Sequence, residues 1–260
     1  MPEYKPYLIA FFDILGFKNE LAEKTCDEIH RVFEVFEEDN KFTKTLGEEP
    51  EMLYFSDSVI RFSVFEKYKD CLDTLVFCEI MSLIHLQSLL IDKGVLVRGA
   101  LTWGDLYVEG SMIYGDGVVK AYELESNVAI YPRIIIDPEI IELINRYFEG
   151  VDWAEQQLRD YRKVLCLSDA GYYYLNYLRA IENEFDDPDY YPIFLAKHRD
   201  LIKQKQKEDM PARDKSKIIW LVNYHNRIVN EISEEYFKAY NQKKESFLIG
   251  TELNYIKEQP

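Results

Sequence analysis

Six consecutive apolar residues, Tyr7-Leu8-Ile9-Ala10-Phe11-Phe12, end at Asp13, and Gly16 follows three positions on. An unbroken run of this kind has no polar face to turn to water, so it reads as a strand covered on both sides. A carboxylate stands at its end, and a glycine then permits a tight turn into a helix. Asn19–Phe36 places Leu21, Ile29, Val32, Phe33 and Phe36 near helical spacing. Thr45–Pro50 is a loop by its Gly and Pro, and Met52–Phe65 reads as two strands with Ser56-Asp57-Ser58 at the tip between them. Tyr68–Ile91 is a long helix closed by Lys93-Gly94. Val95–Trp103 and Leu106–Glu109 suggest a further hairpin around Gly104-Asp105. Val118–Leu124 is helical, Arg133–Ile136 is a short strand, and Asp137-Pro138 opens another helix.

To about residue 150 the order is β-α-β-β-α-β-β-α-β-α. That predicts an α/β (α+β) fold of ferredoxin-like type with a mostly antiparallel sheet. Residues 151–260 are expected to form a mainly helical extension packed on a 1–150 core. They hold one strand-like piece (Lys163–Leu167), breaks at Phe185–Asp189 and Glu208–Pro211, and a strand-like patch at Phe247-Leu248-Ile249.

Charge narrows the function. The chain carries 47 acidic against 31 basic residues, a net charge of −16 over 260 residues. This argues against a nucleic-acid partner, since neutralising phosphates requires a basic surface. A small anionic substrate remains compatible, because a bound metal ion inverts the local potential. Four cysteines without a CxxC and four histidines make a zinc site unexpected and suggest reduced cysteines in the cytoplasm. Tyr7–Phe12 and the interrupted Leu83–Ile91 stretch fall short of the ~20 apolar residues of a membrane span, and Met1–Lys5 is polar; no membrane association is expected.

Asp13 and Asp57, 44 positions apart, each end a greasy strand. Adjacent antiparallel strands would bring these ends together. Two close carboxylates repel unless a cation lies between them, and hard divalent ions prefer such oxygen ligands. Aspartates also cap turns, so spacing alone leaves both readings open.

Four motifs then resemble those of class III nucleotidyl cyclases. Phe11-Phe12-Asp13-Ile14-Leu15-Gly16-Phe17 is similar to the family's F-x-D-I-x-G-F opening, and Ser56-Asp57 to its G-D hairpin. Arg98–Gly104 resembles its R-x-G-I-x-x-G strand, and Tyr114–Val119 with Ala121–Ser126 its F-G-D-x-V-N and A-x-R-x-E-S helix. The Asp-Ile-Leu-Gly-Phe opening, Ala121–Glu125 and Trp220–Asn226 narrow the likeness to the bacterial Pycsar pyrimidine cyclases. That resemblance implies conversion of UTP or CTP to a cyclic monophosphate as an antiphage signal, read by an effector not expected to bind the enzyme directly. Purine cyclisation, or a catalytically dead nucleotide-binding or dimerisation module, is the alternative.

The resemblance also implies site roles. Asp13, Asp57 and the Ile14 carbonyl would hold two divalent ions, Mn²⁺ or Mg²⁺, and the Gly16 and Phe17 amides would meet phosphate. A homodimer would form each site, with the helix bearing Lys120 supplied by the second chain. Two departures stand out. Val119 and Glu123 fall where the family has its ribose Asn and transition-state Arg, leaving Lys120 and Arg98 as the candidate cations. Leu53 and Met112 fall where purine enzymes read the base; both are apolar, which suggests selection by shape, with Tyr54 narrowing the pocket toward a pyrimidine.

Overall fold

The computed structural model describes residues 2–45, 50–65, 71–152 and 154–250. It divides into two compact units, Met1–Ala180 and Ile181–Pro260.

The first unit runs β1 (Lys5–Ile14), α1 (Phe17–Glu23), α2 (Cys26–Thr45), β2 (Glu51–Phe55), β3 (Ser58–Val64), α3 (Leu72–Asp92) and β4 (Val97–Glu109). It continues through β5 (Met112–Tyr114), α4 (Asp116–Asn127), β6 (Ile134–Ile136), α5 (Pro138–Tyr147), α6 (Ala154–Val164), β7 (Leu165–Leu167), β8 (Tyr173–Leu175) and α7 (Tyr177–Ala180). The sheet order is β2-β3-β1-β4-β6-β8-β7, with β5 paired to β4. Every pairing is antiparallel except β4 with β6, where α4 supplies the crossover a parallel pair needs. The fold is thus mixed α/β with a mostly antiparallel sheet, followed by C-terminal helices.

β1 explains itself. It pairs with β3 on one side and β4 on the other, and Tyr7–Phe12 are all buried. Alternation sends Tyr7, Ile9 and Phe11 to the face covered by α4, where they pack with Phe62, Leu106 and Ala121. Phe12 points the other way, onto Phe36 of α2. On that second face Arg61 of β3 is fully buried between two carboxylates, Asp39 of α2 at 2.8 Å and Glu79 of α3 at 3.0 Å.

Several expectations are corrected. Asn19–Phe36 is broken at Thr25, because Thr25 and Glu28 form a capping box: the Glu28 amide donates to the Thr25 hydroxyl and the Thr25 amide to the Glu28 carboxylate. Gly104-Asp105 is no turn. β4 runs straight through it, Gly104 pairing with Tyr7 and Asp105 with Pro6, and the reversal falls after Glu109, where Gly110 adopts φ 59°. The core does not stop at residue 150, since β7 and β8 add two strands to the sheet through β6. The α3 segment Leu72–Asp92 is long and apolar enough by composition to cross a membrane; 61% of that apolar window is buried, against α2, α5, α6 and α7. Leu46–Glu49 of the expected loop and Tyr68–Asp70 of the expected helix lie outside the described residues.

The second unit contains α8 (Tyr190–Lys207), α9 (Ala212–Glu231) and α10 (Glu234–Ala239); α8 starts after the expected break at Phe185–Asp189 and α9 after that at Glu208–Pro211, while Ser233 caps α10. Phe247–Ile249 is not a strand. Asn226 clamps it instead, its amide group bonding both the Ile249 carbonyl and the Ile249 amide at 2.9 Å. The neighbouring His225 Nε2 donates to the Phe247 carbonyl at 2.9 Å. His225 is structural, both its ring nitrogens being engaged within the second unit.

Candidate active site

Asp13 sits where β1 runs out, on the face shared with Tyr7, Ile9 and Phe11, opposite Ser58 of β3 and Arg98 of β4. The two-residue reversal between β2 and β3, with Ser56 at φ 56°, carries Asp57 beside it. A strand residue sends its N–H and C=O to the same edge. The Ile14 amide bonds the Asp57 carbonyl, so the Ile14 carbonyl also faces the hairpin tip.

Electrostatics mark the place. Burial raises the Asp13 pKa, the Asp57 carboxylate adds to the rise, and the Arg98 guanidinium opposes it. Arg98 Nε donates to Asp13 Oδ2 at 3.0 Å, and Arg98 Nη2 lies 2.8 Å from Glu125 Oε1 of α4, a charge contact without hydrogen-bond alignment. Glu125 is 2% exposed, and its other oxygen accepts from the Ser126 hydroxyl at 2.8 Å. Its pKa is raised too, first by burial, with Ser126 and Arg98 opposing and Asp13 and Asp57 adding. Two carboxylates, Asp13 and Glu125, therefore share one guanidinium, with Asp57 close enough to raise the pKa of both.

Such a site suits divalent cations. Its donors are hard oxygens, and the two aspartates repel one another in partial burial, the condition an intervening cation relieves. No cluster of three or more His, Cys, Asp or Glu suited to a metal ion occurs among the described residues, so any ion here rests on two carboxylates and a backbone carbonyl.

The other expected residues separate into groups. Leu53 packs against the Tyr7–Ile9–Phe11 cluster, on the same face as Asp13. Tyr54 does not: one residue on, it points to the opposite face, against Phe33 and Phe36 of α2, and its hydroxyl meets Met52 Sδ at 3.4 Å. A side chain under the sheet cannot narrow a pocket above it. Gly16 adopts φ 78° and shapes the turn into α1, while the Phe17 ring is buried against Phe33. α1 is seven residues long, with Gly16 at its N-cap position.

Met112 is remote from Asp13 within one chain, and Lys120 is engaged by other carboxylates. Met112 faces Glu109, eleven residues along β4 from Arg98, roughly 35 Å of strand. Lys120 pairs at 2.7 Å with both Asp137 and Glu139 and lines a cavity of about 340 Å³ beside Gly104 and Gly117. Gly104 faces Tyr7, six residues or roughly 20 Å up β1 from Asp13. Burial alone would lower the Lys120 pKa, but its two carboxylate partners raise it. Val119 is 55% exposed and Glu123 is exposed, both on the outer side of α4. Glu125 was the residue sequence reasoning passed over. The available signal was spacing: Gly117, Ala121 and Glu125 recur every four residues on the buried side of α4, and a carboxylate in such a stripe requires a cation.

No protein-family model matches the chain, and no curated protein matches it. Solved structures do resemble it. The adenylyl cyclase CyaB from P. aeruginosa is 18% identical with a TM-score of 0.43, over 67% of this chain and 95% of that one. The dimeric guanylyl cyclase domain of the RhoGC fusion protein from the aquatic fungus Blastocladiella emersonii is 17% identical with a TM-score of 0.44, over 67% and 96%. A bacterial light-regulated adenylyl cyclase is 16% identical with a TM-score of 0.41, over 55% of this chain, which spans 45% of its length. Likenesses of this degree do not decide what the chain does; that rests on its residues.

Proposed function

We propose that the chain is a cytosolic, homodimeric, divalent-metal-dependent cyclase that converts UTP or CTP to the 3′,5′-cyclic monophosphate and pyrophosphate, a product suited to act as an antiphage signal. One observation carries the reading. Asp13 and Asp57, 44 residues apart in sequence, meet at one end of the sheet, within the motifs that resemble the cyclase opening and hairpin.

Asp13, Asp57 and the Ile14 carbonyl would hold the ions, which supply charge neutralisation for the triphosphate and acidify the ribose 3′-hydroxyl. Arg98 adds a fixed positive charge against Asp13, preorganised for the phosphates. Leu53, on the Asp13 face, offers a base no donor or acceptor. Met112 is equally apolar and belongs to a partner's site in this reading. A purine edge would leave its hydrogen-bonding groups unread there, so the pocket selects by shape and favours the smaller base.

Exposed apolar side chains support the dimer. Phe55 at 82%, Met112 at 52%, Val119 at 55% and Tyr122 at 56% exposure lie on the hairpins and α4, side chains that association would cover. A second copy would also present its own Lys120-bearing helix to Asp13, whereas within one chain Asp137 and Glu139 hold Lys120.

Val119 and Glu123 favour a second reading, a nucleotide-binding module without turnover, because Val119 cannot hydrogen-bond a ribose and Glu123 would repel an α-phosphate. Incubation with each of the four nucleoside triphosphates and Mn²⁺, followed by product separation, decides between them. Cyclic UMP or cyclic CMP as the main product is expected. Cyclic AMP or cyclic GMP as the main product would overturn the pyrimidine assignment, and no cyclic product at all would favour the module.

A further inference from the structure

We infer that Glu125 is the positioning residue of the metal site: it holds Arg98 partly away from Asp13, so that the Asp13 carboxylate stays available to a divalent cation. The inference rests on the cyclase reading of Asp13 and Asp57 and adds to it a residue with no contact to substrate or ion.

Arg98 has two carboxylates within reach and one positive charge to share. Its Nε bonds Asp13 at 3.0 Å while its Nη2 stands 2.8 Å from Glu125. Side-chain exposure is 15% for Arg98, 19% for Asp13 and 3% for Glu125, so water screens these attractions weakly. A guanidinium with Asp13 as its sole partner would close onto that carboxylate and compete with any cation for its oxygens. Glu125 supplies the counter-pull. The Ser126 hydroxyl orients it by binding its second oxygen, leaving the first for Arg98. α4 brings it there rigidly: Gly117, Ala121 and Glu125 form the buried stripe of that helix, and Ala121 packs in the cluster that contains Ile9 and Phe11.

Two effects must be told apart. Glu125 could favour a cation simply by adding negative charge near it, or it could act through Arg98. A double-mutant cycle separates these, since residues acting through one another are strongly non-additive. The measurement is Mn²⁺ binding to the full-length protein without nucleotide, followed by the electron paramagnetic resonance signal of free Mn²⁺.

Glu125→Gln keeps the shape and removes the charge; it is expected to weaken Mn²⁺ binding about tenfold, the scale of one charge-assisted contact. Arg98→Gln removes the competitor and is expected to bind Mn²⁺ at least as tightly as wild type. In the Arg98→Gln background, Glu125→Gln is expected to have less than a threefold effect. Glu125→Asp, which retains the charge but withdraws it by one methylene, is expected to lose several-fold affinity, and it carries the same test if the Gln variant does not fold. Equal effects of Glu125→Gln with and without Arg98, or wild-type affinity in Glu125→Asp, would overturn the inference while leaving the metal site standing. Wild-type protein that binds no Mn²⁺ would overturn the site itself and the inference with it.

Discussion

The Ile14 amide donates to the Asp57 carbonyl at 3.0 Å. Through this bond the hairpin tip carrying the second carboxylate is tied by main chain to the strand carrying the first. The tie uses no side-chain atom of Asp57, so the position can be changed without undoing the geometry. Asp57→Ala is therefore expected to lower cyclic-nucleotide formation by at least ~100-fold, the scale seen when one preorganised charge is removed from a site, with an unchanged circular dichroism spectrum. Wild-type turnover in that variant would remove the two-carboxylate mechanism.

Tyr122 is more than half exposed on α4, its ring edge against Phe11. Tyr122→Asp places a charge in the proposed dimer surface, where burial without a partner is costly. Sedimentation is expected to show monomers, and turnover is expected to fall in parallel. Active monomers would place a complete site within one chain.

Tyr54 lies beneath the sheet, away from Asp13. Its ionisation is pushed far up, by burial first and then by Glu37, as for an aromatic anchored among helix residues. Tyr54→Ala is expected to cost about 2 kcal/mol in urea unfolding, less than a fully buried aromatic truncation. It should leave the ratio of purine to pyrimidine turnover unchanged. A gain in purine turnover would mean that the base reaches the α2 face.

Gly104 and Gly117 cross at the contact of β4 with α4. A Cβ at position 104 would lie 2.5 Å from the Gly117 Cα, and backbone cannot yield as a flexible side chain does. Gly104→Ala is expected to destabilise the first unit by about 1–3 kcal/mol, the usual range for overpacking, measured by urea midpoint at constant slope. An unchanged midpoint would show that α4 can retreat.

His198 of α8 and His225 of α9 are both fully buried, with their Nδ1 atoms 2.9 Å apart. Since His225 Nε2–H donates to Phe247, His225 Nδ1 accepts from His198 Nδ1–H, an arrangement that requires a neutral His225 ring. Burial lowers the His225 pKa to about 4 from 6.5 and lowers that of His198 as well. Between pH 6.5 and 4 the unfolded chain takes up protons that the folded rings refuse. Stability is then complete above 6.5 and declines through that window, by up to about 3 kcal/mol for His225 alone. Asp13 and Glu125, whose pKa values are raised, work in the opposite direction. Hydrogen exchange of α8 and α9 amides is therefore the proper measure, with protection expected to fall between pH 7 and 4.5. Undiminished protection at pH 4.5 would contradict a neutral pair.

The sequence by itself determined what depends on neighbours along the chain. A wholly apolar run had to be covered on both faces, Gly16 had to turn, Asp137-Pro138 had to open a helix, and Ser56-Asp57 had to reverse between two strands. The Thr25–Glu28 cap was equally local and was there to be read. Other features turn on what a residue meets across space. Gly104 has the composition of a turn, yet the approach of Gly117 requires a glycine inside a strand. Tyr54 and Leu53 are adjacent, and only the pleat sends one under the sheet and the other toward Asp13. Lys120 has the charge of a catalytic cation, but α5 places two carboxylates on it. Glu125 is one more acidic residue in an acidic chain until α4 docks it against Arg98, because the energy of a buried charge is set by the partner that tertiary packing brings to it.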